Sequence, residues 1–275
     1  MSLIKSLAKD WLPPVILRAL RQRRGGGIRF EGDYATWEEA AAQCTGYDAE
    51  SILAKVLDAT LKVKRGEAVY ERDSVLFDEI DYAWPITAGL MWAAAQSGGR
   101  LDVLDFGGAL GSSYFQNRAF LAGLPQVRWS VVEQAHYVEA GRQHIQDETL
   151  KFYASIDDCL AENKPNVVLL SSVLQYLPSI ADVVQKIELS GISMLIIDRT
   201  PFNDENNNKI CIQIVPELIY KASYPMRIFS YDFFNRILGD WEYISKNRSP
   251  EGKVISNSGL VINFCGFLLK RKNAC

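Results

Sequence analysis

The sequence predicts an α/β protein: a doubly wound, mostly parallel seven-stranded sheet with a C-terminal antiparallel hairpin, preceded by N-terminal helices. Three observations predict it. From residue 100 onward, apolar runs of four to six residues alternate with helical stretches, the pattern of parallel strands covered on both faces. The first of these runs ends in an acid and a glycine-rich turn, Asp105-Phe106-Gly107-Gly108-Ala109-Leu110-Gly111, which leads into a helix near Ser112. The last two runs are joined by a polar loop from Asn247 to Gly259 that contains glycine, as in a hairpin.

Taken in chain order, residues 1–27 form a basic amphipathic arm. Leu3, Ile4, Leu7, Trp11 and Leu12 make one apolar stripe and Val15, Ile16, Leu17, Ala19 and Leu20 a second, split by Pro13-Pro14 and ended by Gly25-Gly26-Gly27. Residues 28–99 read mainly as helix, forming a cap or lid. There Thr36, followed three residues later by Glu39, starts a helix that runs to Ala42. Residues 51–64 carry apolar side chains at helical spacing. A third helix over 85–96 ends at Ser97-Gly98-Gly99. Residues 100–275 form the sheet domain, with strands expected at 101–106, 129–133, 152–154, 167–171, 194–198, 241–246 and 261–270. Residues 203–231 read as an insertion between the fifth and sixth of these.

Composition narrows the function. The chain has 30 basic and 33 acidic side chains, a net charge of -3, so no basic field points to nucleic acid. Seven basic residues fall within 1–30 against the single acid Asp10. For this arm three readings stand: residues 1–24 lie peripherally on an anionic membrane, dock a partner or second subunit, or pack on their own domain. The five cysteines form no CxxC pair and the only histidines are His136 and His144. That composition suits a reducing compartment, and no metal is expected unless an all-carboxylate site forms. No apolar run approaches the ~20 residues of a membrane span, and the start lacks a signal-peptide pattern. The reading is cytoplasmic, extended to the inner membrane face if the arm binds there.

The glycine turn is the most informative stretch. Glycines allow the sharp turn and let a ligand approach the backbone, outside the carboxyl ends of the strands and over a helix N-terminus. A dinucleotide fingerprint requires G-x-G-x-x-G. Starting at Gly107 or at Gly108, the other two positions hold Ala109 and Ser112, or Leu110 and Ser113. An acid two residues before the turn also suits a cation better than a pyrophosphate.

These residues resemble the first motif of class I S-adenosylmethionine-dependent methyltransferases, an acid, any residue, then alternate glycines, with Ala109 at the middle glycine position. The resemblance implies that Asp105 and the backbone of Gly107, Gly108, Ala109 and Gly111 hold the methionine end of S-adenosylmethionine. It implies that Glu133, closing Val131-Val132-Glu133, takes the ribose hydroxyls, since a carboxylate offers two acceptor oxygens to a vicinal diol. It implies adenine contacts from Ile156 and Asp157 after the third strand, with Asp158 an equal candidate to Asp157. The run from Val167 to Leu177 matches the family's fourth strand and following loop, which brings Ser172 and Gln175 to the cofactor. Many relatives carry histidine where Gln175 stands, and glutamine cannot act as a base. With Ile197-Asp198-Arg199-Thr200-Pro201-Phe202 and Ser223-Tyr224-Pro225, residues 30–270 resemble a largely uncharacterised bacterial methyltransferase subgroup that often belongs to surface-polysaccharide biosynthesis.

The resemblance implies methyl transfer to a small-molecule or glycan acceptor. An oxygen nucleophile needs its proton removed, and Asp198, Tyr176 and Asp204 are the candidates. The planar fork of Arg199 suits an anionic acceptor. Structural readings compete: Asp198-Arg199 as a strand-end ion pair, Tyr176 as packing, and Tyr82 and Trp84 as core aromatics rather than site closure. Two rival functions remain, a non-catalytic binding protein that kept the fold and a nicotinamide-dependent oxidoreductase.

Overall fold

The structure, a computed structural model, describes residues 27–44, 49–72, 74–216 and 222–272. The basic arm read at residues 1–24 therefore lies outside the described residues. The chain runs β1 (Arg29–Tyr34), α1 (Trp37–Ala42), α2 (Ala49–Lys64), β2 (Tyr70–Arg72), β3 (Val75–Phe77) and α3 (Trp84–Gln96). It continues with β4 (Arg100–Phe106), α4 (Ser112–Leu121), β5 (Gln126–Val132), α5 (Ala135–Ala140), β6 (Leu150–Tyr153), α6 (Ile156–Glu162) and β7 (Val167–Ser171). The last part comprises α7 (Ile180–Leu189), β8 (Met194–Asn203), β9 (Lys209–Val215), β10 (Ala222–Ser230), α8 (Tyr231–Ile237), β11 (Trp241–Ile255) and β12 (Val261–Arg271).

Strands β8, β7, β4, β5 and β6 pair in parallel in that order, and β12 runs antiparallel to β8 with β11 outside it. Side chains alternate across a strand, so each parallel strand feeds two cores. Val103, Val131, Val167, Leu169 and Ile196 point to one face with Leu90 of α3 and Phe115 of α4. Their neighbours Leu104, Val132, Val168, Leu170, Leu195 and Ile197 point to the other face with Ile156 of α6, Val184 of α7 and Phe234 of α8. This is the physical reason the strands read as continuous apolar runs. β4 pairs with both β5 and β7. The chain therefore reverses direction across the sheet there, and a crevice opens above the carboxyl ends of β4 and β7.

The α/β class, the parallel centre and the C-terminal antiparallel strands match the reading from sequence. The main sheet is wider, with ten strands rather than seven. Three strands of the main sheet were not anticipated, and neither was the separate two-stranded sheet of β2 and β3 in the stretch read mainly as helix. β1 lies in the stretch read as mainly helical and pairs antiparallel with β9. β9 and β10 lie in the stretch read as an insertion. Asn206–Asn208 and two prolines masked the alternation of Ile210, Ile212 and Ile214 with Cys211 and Gln213. Pro225 is tolerated because β9 is the only partner of β10 there, and β10 reaches β8 only at Phe229 and Ser230. β8 runs on to Asn203, and its Phe202 anchors this extension. That ring is fully buried and meets Phe229, Tyr231, Phe234 and Phe267 at centroid distances of 4.6–6.0 Å.

The three helices expected before residue 100 form. Thr36 Oγ1 accepts from Glu39 N at 3.1 Å while Glu39 Oε2 accepts from Ala35 N at 3.2 Å, reciprocal capping of α1. Among the described residues, no helix is long and apolar enough to cross a membrane. Replacing Phe202 by alanine is expected to cost about 3–5 kcal/mol. Urea denaturation reads this as a lower midpoint at unchanged slope.

Candidate functional site

One large cavity, of 1370 Å³, lies over the carboxyl ends of β4, β5, β7 and β8. Three residues beside it hold left-handed backbone without being glycine: Ala109 (φ 49°), Ser172 (φ 57°) and Arg199 (φ 50°), just past β4, just past β7 and within β8. Such conformations are costly for side chains with a Cβ and gather at functional sites.

The turn after β4 is built from beneath. Asp105 is buried, and its Oδ2 accepts from the Trp129 indole at 2.9 Å. Gly108 sits directly on that carboxylate; a Cβ there would lie 2.5 Å from it. Gly107 has φ +73°, and a Cβ would lie 2.4 Å from Val173. Its N–H donates to Val132 O at 2.9 Å, tying the turn to β5. Gly111 caps α4 at φ 91°. Gly107, Gly108 and Ala109 face the cavity, whereas Gly111 packs beside Leu150. Burial pushes the Asp105 carboxyl up to about 7; the Trp129 N–H opposes this and the nearby Glu133 charge adds to it.

Glu133 follows β5 and lines the cavity. Its Oε1 accepts from Ala109 N at 3.3 Å and its Oε2 from Gln134 N at 2.7 Å. Burial raises its pKa, and these two N–H donors oppose the shift. After β6, Ser155 caps α6 through Asp158 N at 3.0 Å. Ile156 lines the cavity, and the exposed Asp157 pairs with Lys186, which also lines it. Asp158 bonds back to Ser155 Oγ at 2.7 Å.

After β7, Ser171, Ser172, Val173 and Tyr176 line the cavity and Gln175 does not. Gln175 is fully buried; its Nε2 donates to Ser172 Oγ at 3.1 Å and to Arg199 O at 3.3 Å. It therefore couples the two strained turns. Asp198 and Arg199 both line the cavity, with Arg199 Nε 3.5 Å from Asp198 Oδ2. The ion-pair reading of these residues is thus present in the geometry. Burial raises the Asp198 pKa, with Arg199 opposing and Glu251 adding to the rise. Asp204 is exposed and away from the cavity.

Several lining residues carried no signal in the sequence reading. Glu71, buried on β2, accepts from the Ser112 hydroxyl at the start of α4. Gln213 Oε1 accepts from Tyr176 OH at 2.9 Å, and its Nε2 donates to Tyr224 OH at 3.0 Å. Glu251 comes from β11. Gln213 was within reach, because it is the polar position in an alternating apolar run. Glu71 and Glu251 were not, since only the fold brings them over the turn. Tyr82 lines the cavity and packs edge-on against Phe120 at 5.2 Å; Trp84 is 60% exposed. Among the described residues, no group of three or more histidine, cysteine or carboxylate side chains is placed to hold a metal ion.

The raised Asp105 pKa fixes a sign. The native carboxyl keeps its proton up to about pH 7, whereas the unfolded one loses it near 3.8. Between those values the unfolded state binds fewer protons, so this group's contribution to stability falls as pH rises. Asp105→Asn is expected to remove that part of the slope. Urea midpoints at pH 5 and pH 8 test it, and an unchanged difference between the two contradicts it.

No protein-family profile matches the chain. No curated protein matches it in sequence. Several solved structures are similar to it. The Burkholderia thailandensis 1,6-didemethyltoxoflavin-N1-methyltransferase, bound to 1,6-didemethyltoxoflavin and S-adenosylhomocysteine, is 14% identical over 89% of this chain and all of its own, with a TM-score of 0.44. The N-terminal domain of EvdMO1, determined in the presence of S-adenosylhomocysteine and D-fucose, is 12% identical over 82% of this chain and 98% of its own, with a TM-score of 0.46. An S-adenosylmethionine-dependent methyltransferase from Clostridium acetobutylicum is 12% identical over 82% of this chain and all of its own, with a TM-score of 0.43. At this distance the likeness assigns neither a ligand nor a reaction to this chain.

Proposed function

We propose that the protein is an S-adenosylmethionine-dependent methyltransferase acting on a small-molecule or glycan acceptor. The observation that carries this reading is Glu133. Its carboxylate stands at the cavity wall 3.3 Å from the Ala109 N–H, beside a turn whose glycines leave open backbone. Two acceptor oxygens next to such a turn suit a ribose diol. Asp105 beneath the turn, once ionised, suits a cationic sulfonium better than a pyrophosphate, whereas a ribose-binding acid such as Glu133 serves either cofactor. The residues therefore fit S-adenosylmethionine, and they do not favour a dinucleotide.

In this reading Asp105, Gly107, Gly108 and Ala109 support the methionine end, Glu133 holds the ribose, and Ile156 packs against the adenine. Asp157 is the weaker adenine candidate because it is engaged by Lys186. Ser172 shapes the wall, and Gln175 and Gly111 act by positioning. The bound cofactor supplies an activated methyl group, so the chain's task is orientation and exclusion of water. Asp198 is the proposed base for an acceptor hydroxyl. It is buried, it faces the cavity, and its raised pKa brings it nearer the working range of a general base. Tyr176 aligns the acceptor. Methylation within surface-polysaccharide biosynthesis rests on the sequence resemblance alone, as does attachment of residues 1–24 to a membrane.

Isothermal titration with S-adenosylhomocysteine is expected to show saturable binding, with no comparable heat from NADH. Glu133→Ala is expected to weaken that binding by about 10–100-fold, the loss of hydrogen bonds to a charged group. Once an acceptor is in hand, Asp198→Asn is expected to lower turnover by about 10²–10⁴-fold with little change in cofactor affinity. Activity of the wild type is expected to fall on acidification as Asp198 takes up its proton. Release of S-adenosylhomocysteine as a function of pH checks both.

A further inference from the structure

The cavity exceeds what one ligand needs: 1370 Å³ against roughly 300–1,000 Å³ for a typical small-molecule site. Away from the glycine turn it continues beneath β1, β9, β10 and β12. The wall there carries the rings of Phe30, Trp37, Tyr176, Tyr224 and Phe264. Tyr176 and Tyr224 meet edge to face at 5.1 Å, and both hydroxyls are held by the one amide of Gln213. This wall offers flat apolar faces and neutral hydrogen-bonding groups.

The charges nearby are arranged to the same end. Two carboxylates, Asp198 and Glu251, border the space. Arg199 is already engaged, with Nε 3.5 Å from Asp198 Oδ2 and a guanidinium N–H donating to Ser171 Oγ at 3.2 Å. Arg227 lies over the Trp37 ring at 5.3 Å and donates to Leu177 O and Pro178 O, each at 3.1 Å. An anion entering this half meets two carboxylates, and both neighbouring guanidinium groups are committed elsewhere. In a half-enclosed space poorly screened by water that repulsion is large.

We infer that this second chamber binds an uncharged ring bearing hydroxyl groups and rejects rings that carry phosphate or carboxylate, with Asp198 masking Arg199 to set the choice. The inference rests on the reading of the other half as the S-adenosylmethionine site. It narrows that reading: a phosphate-bearing acceptor must present its uncharged part to this chamber and keep its phosphate outside. A phenolic ring and a sugar ring share the required chemistry.

Saturation-transfer NMR on the full chain, saturated with S-adenosylhomocysteine, tests it with two matched pairs of probes. One pair is phenol and phenyl phosphate; the other is methyl glucoside and glucose 1-phosphate. In the wild type at least one uncharged probe is expected to bind, with a signal lost in Tyr224→Ala, and to exceed its phosphorylated partner by about tenfold or more in affinity. Whichever pair responds identifies the ring class. Asp198→Asn, nearly isosteric, unmasks Arg199 and is expected to raise affinity for the phosphorylated probe by about tenfold. Equal binding of charged and uncharged probes by the wild type overturns the inference. So does a lack of signal from both uncharged probes, a signal that survives Tyr224→Ala, or discrimination unchanged in Asp198→Asn. Retained S-adenosylhomocysteine binding shows that each variant is folded. Failure of the wild type to bind it overturns the cofactor reading instead, and the inference falls with it.

Discussion

A carboxylate buried under a glycine is costly unless something holds it, and here the Trp129 indole does so. The bond from Trp129 Nε1 to Asp105 Oδ2, 2.9 Å long, joins β5 to β4, the strand that borders the switch point between β4 and β7. It fixes Asp105 directly beneath Gly108, where a Cβ would come within 2.5 Å of the carboxylate. The turn above is then constrained on every side. Gly107 is tied to Val132, Ala109 to Glu133, and Gly111 starts α4. A buried ionisable group next to a second carboxylate stores unfavourable energy. In the proposed function, a cation bound above it would return part of that energy as affinity.

The opposite side of the site uses the same economy of strain. Ser172 and Arg199 take left-handed backbone where glycine would be easier, and buried Gln175 bonds to both, through the hydroxyl of one and the carbonyl of the other. Arg199 N also donates to Ser249 Oγ at 3.2 Å, so β11 helps to hold the turn. The result aims Asp198 and Arg199 into the cavity as a pair rather than as separate groups. The carboxylate at the cavity wall and the guanidinium beside it therefore present themselves together.

The half of the site built on local chemistry was legible in the sequence. An acid, a glycine turn and a helix start follow one another within a dozen residues, and their spacing alone states what the backbone must do. Glu133 was legible as the acid closing the next strand. The far half of the cavity was legible only at Tyr176, Asp198, Arg199 and Tyr224; Phe30, Trp37, Gln213, Glu251 and Phe264 were not, because they come from β1, α1, β9, β11 and β12. Strands β1 and β9 pair across nearly 180 residues of chain, and no local periodicity reports such a contact. Asp157 shows what such spacing leaves out. Its position after β6 suggests a ligand contact, and the fold adds a partner from α7, Lys186, 29 residues away.

The account rests on Asp105 being a carboxylate whose charge is suppressed until a cation arrives. A 13C NMR titration of the Asp105 side-chain carboxyl, with and without S-adenosylmethionine, measures this directly. The account predicts an apparent pKa near 7 in the free protein and a clear fall when the sulfonium ligand saturates the site. A carboxyl that titrates near 3.8 and ignores the ligand contradicts it.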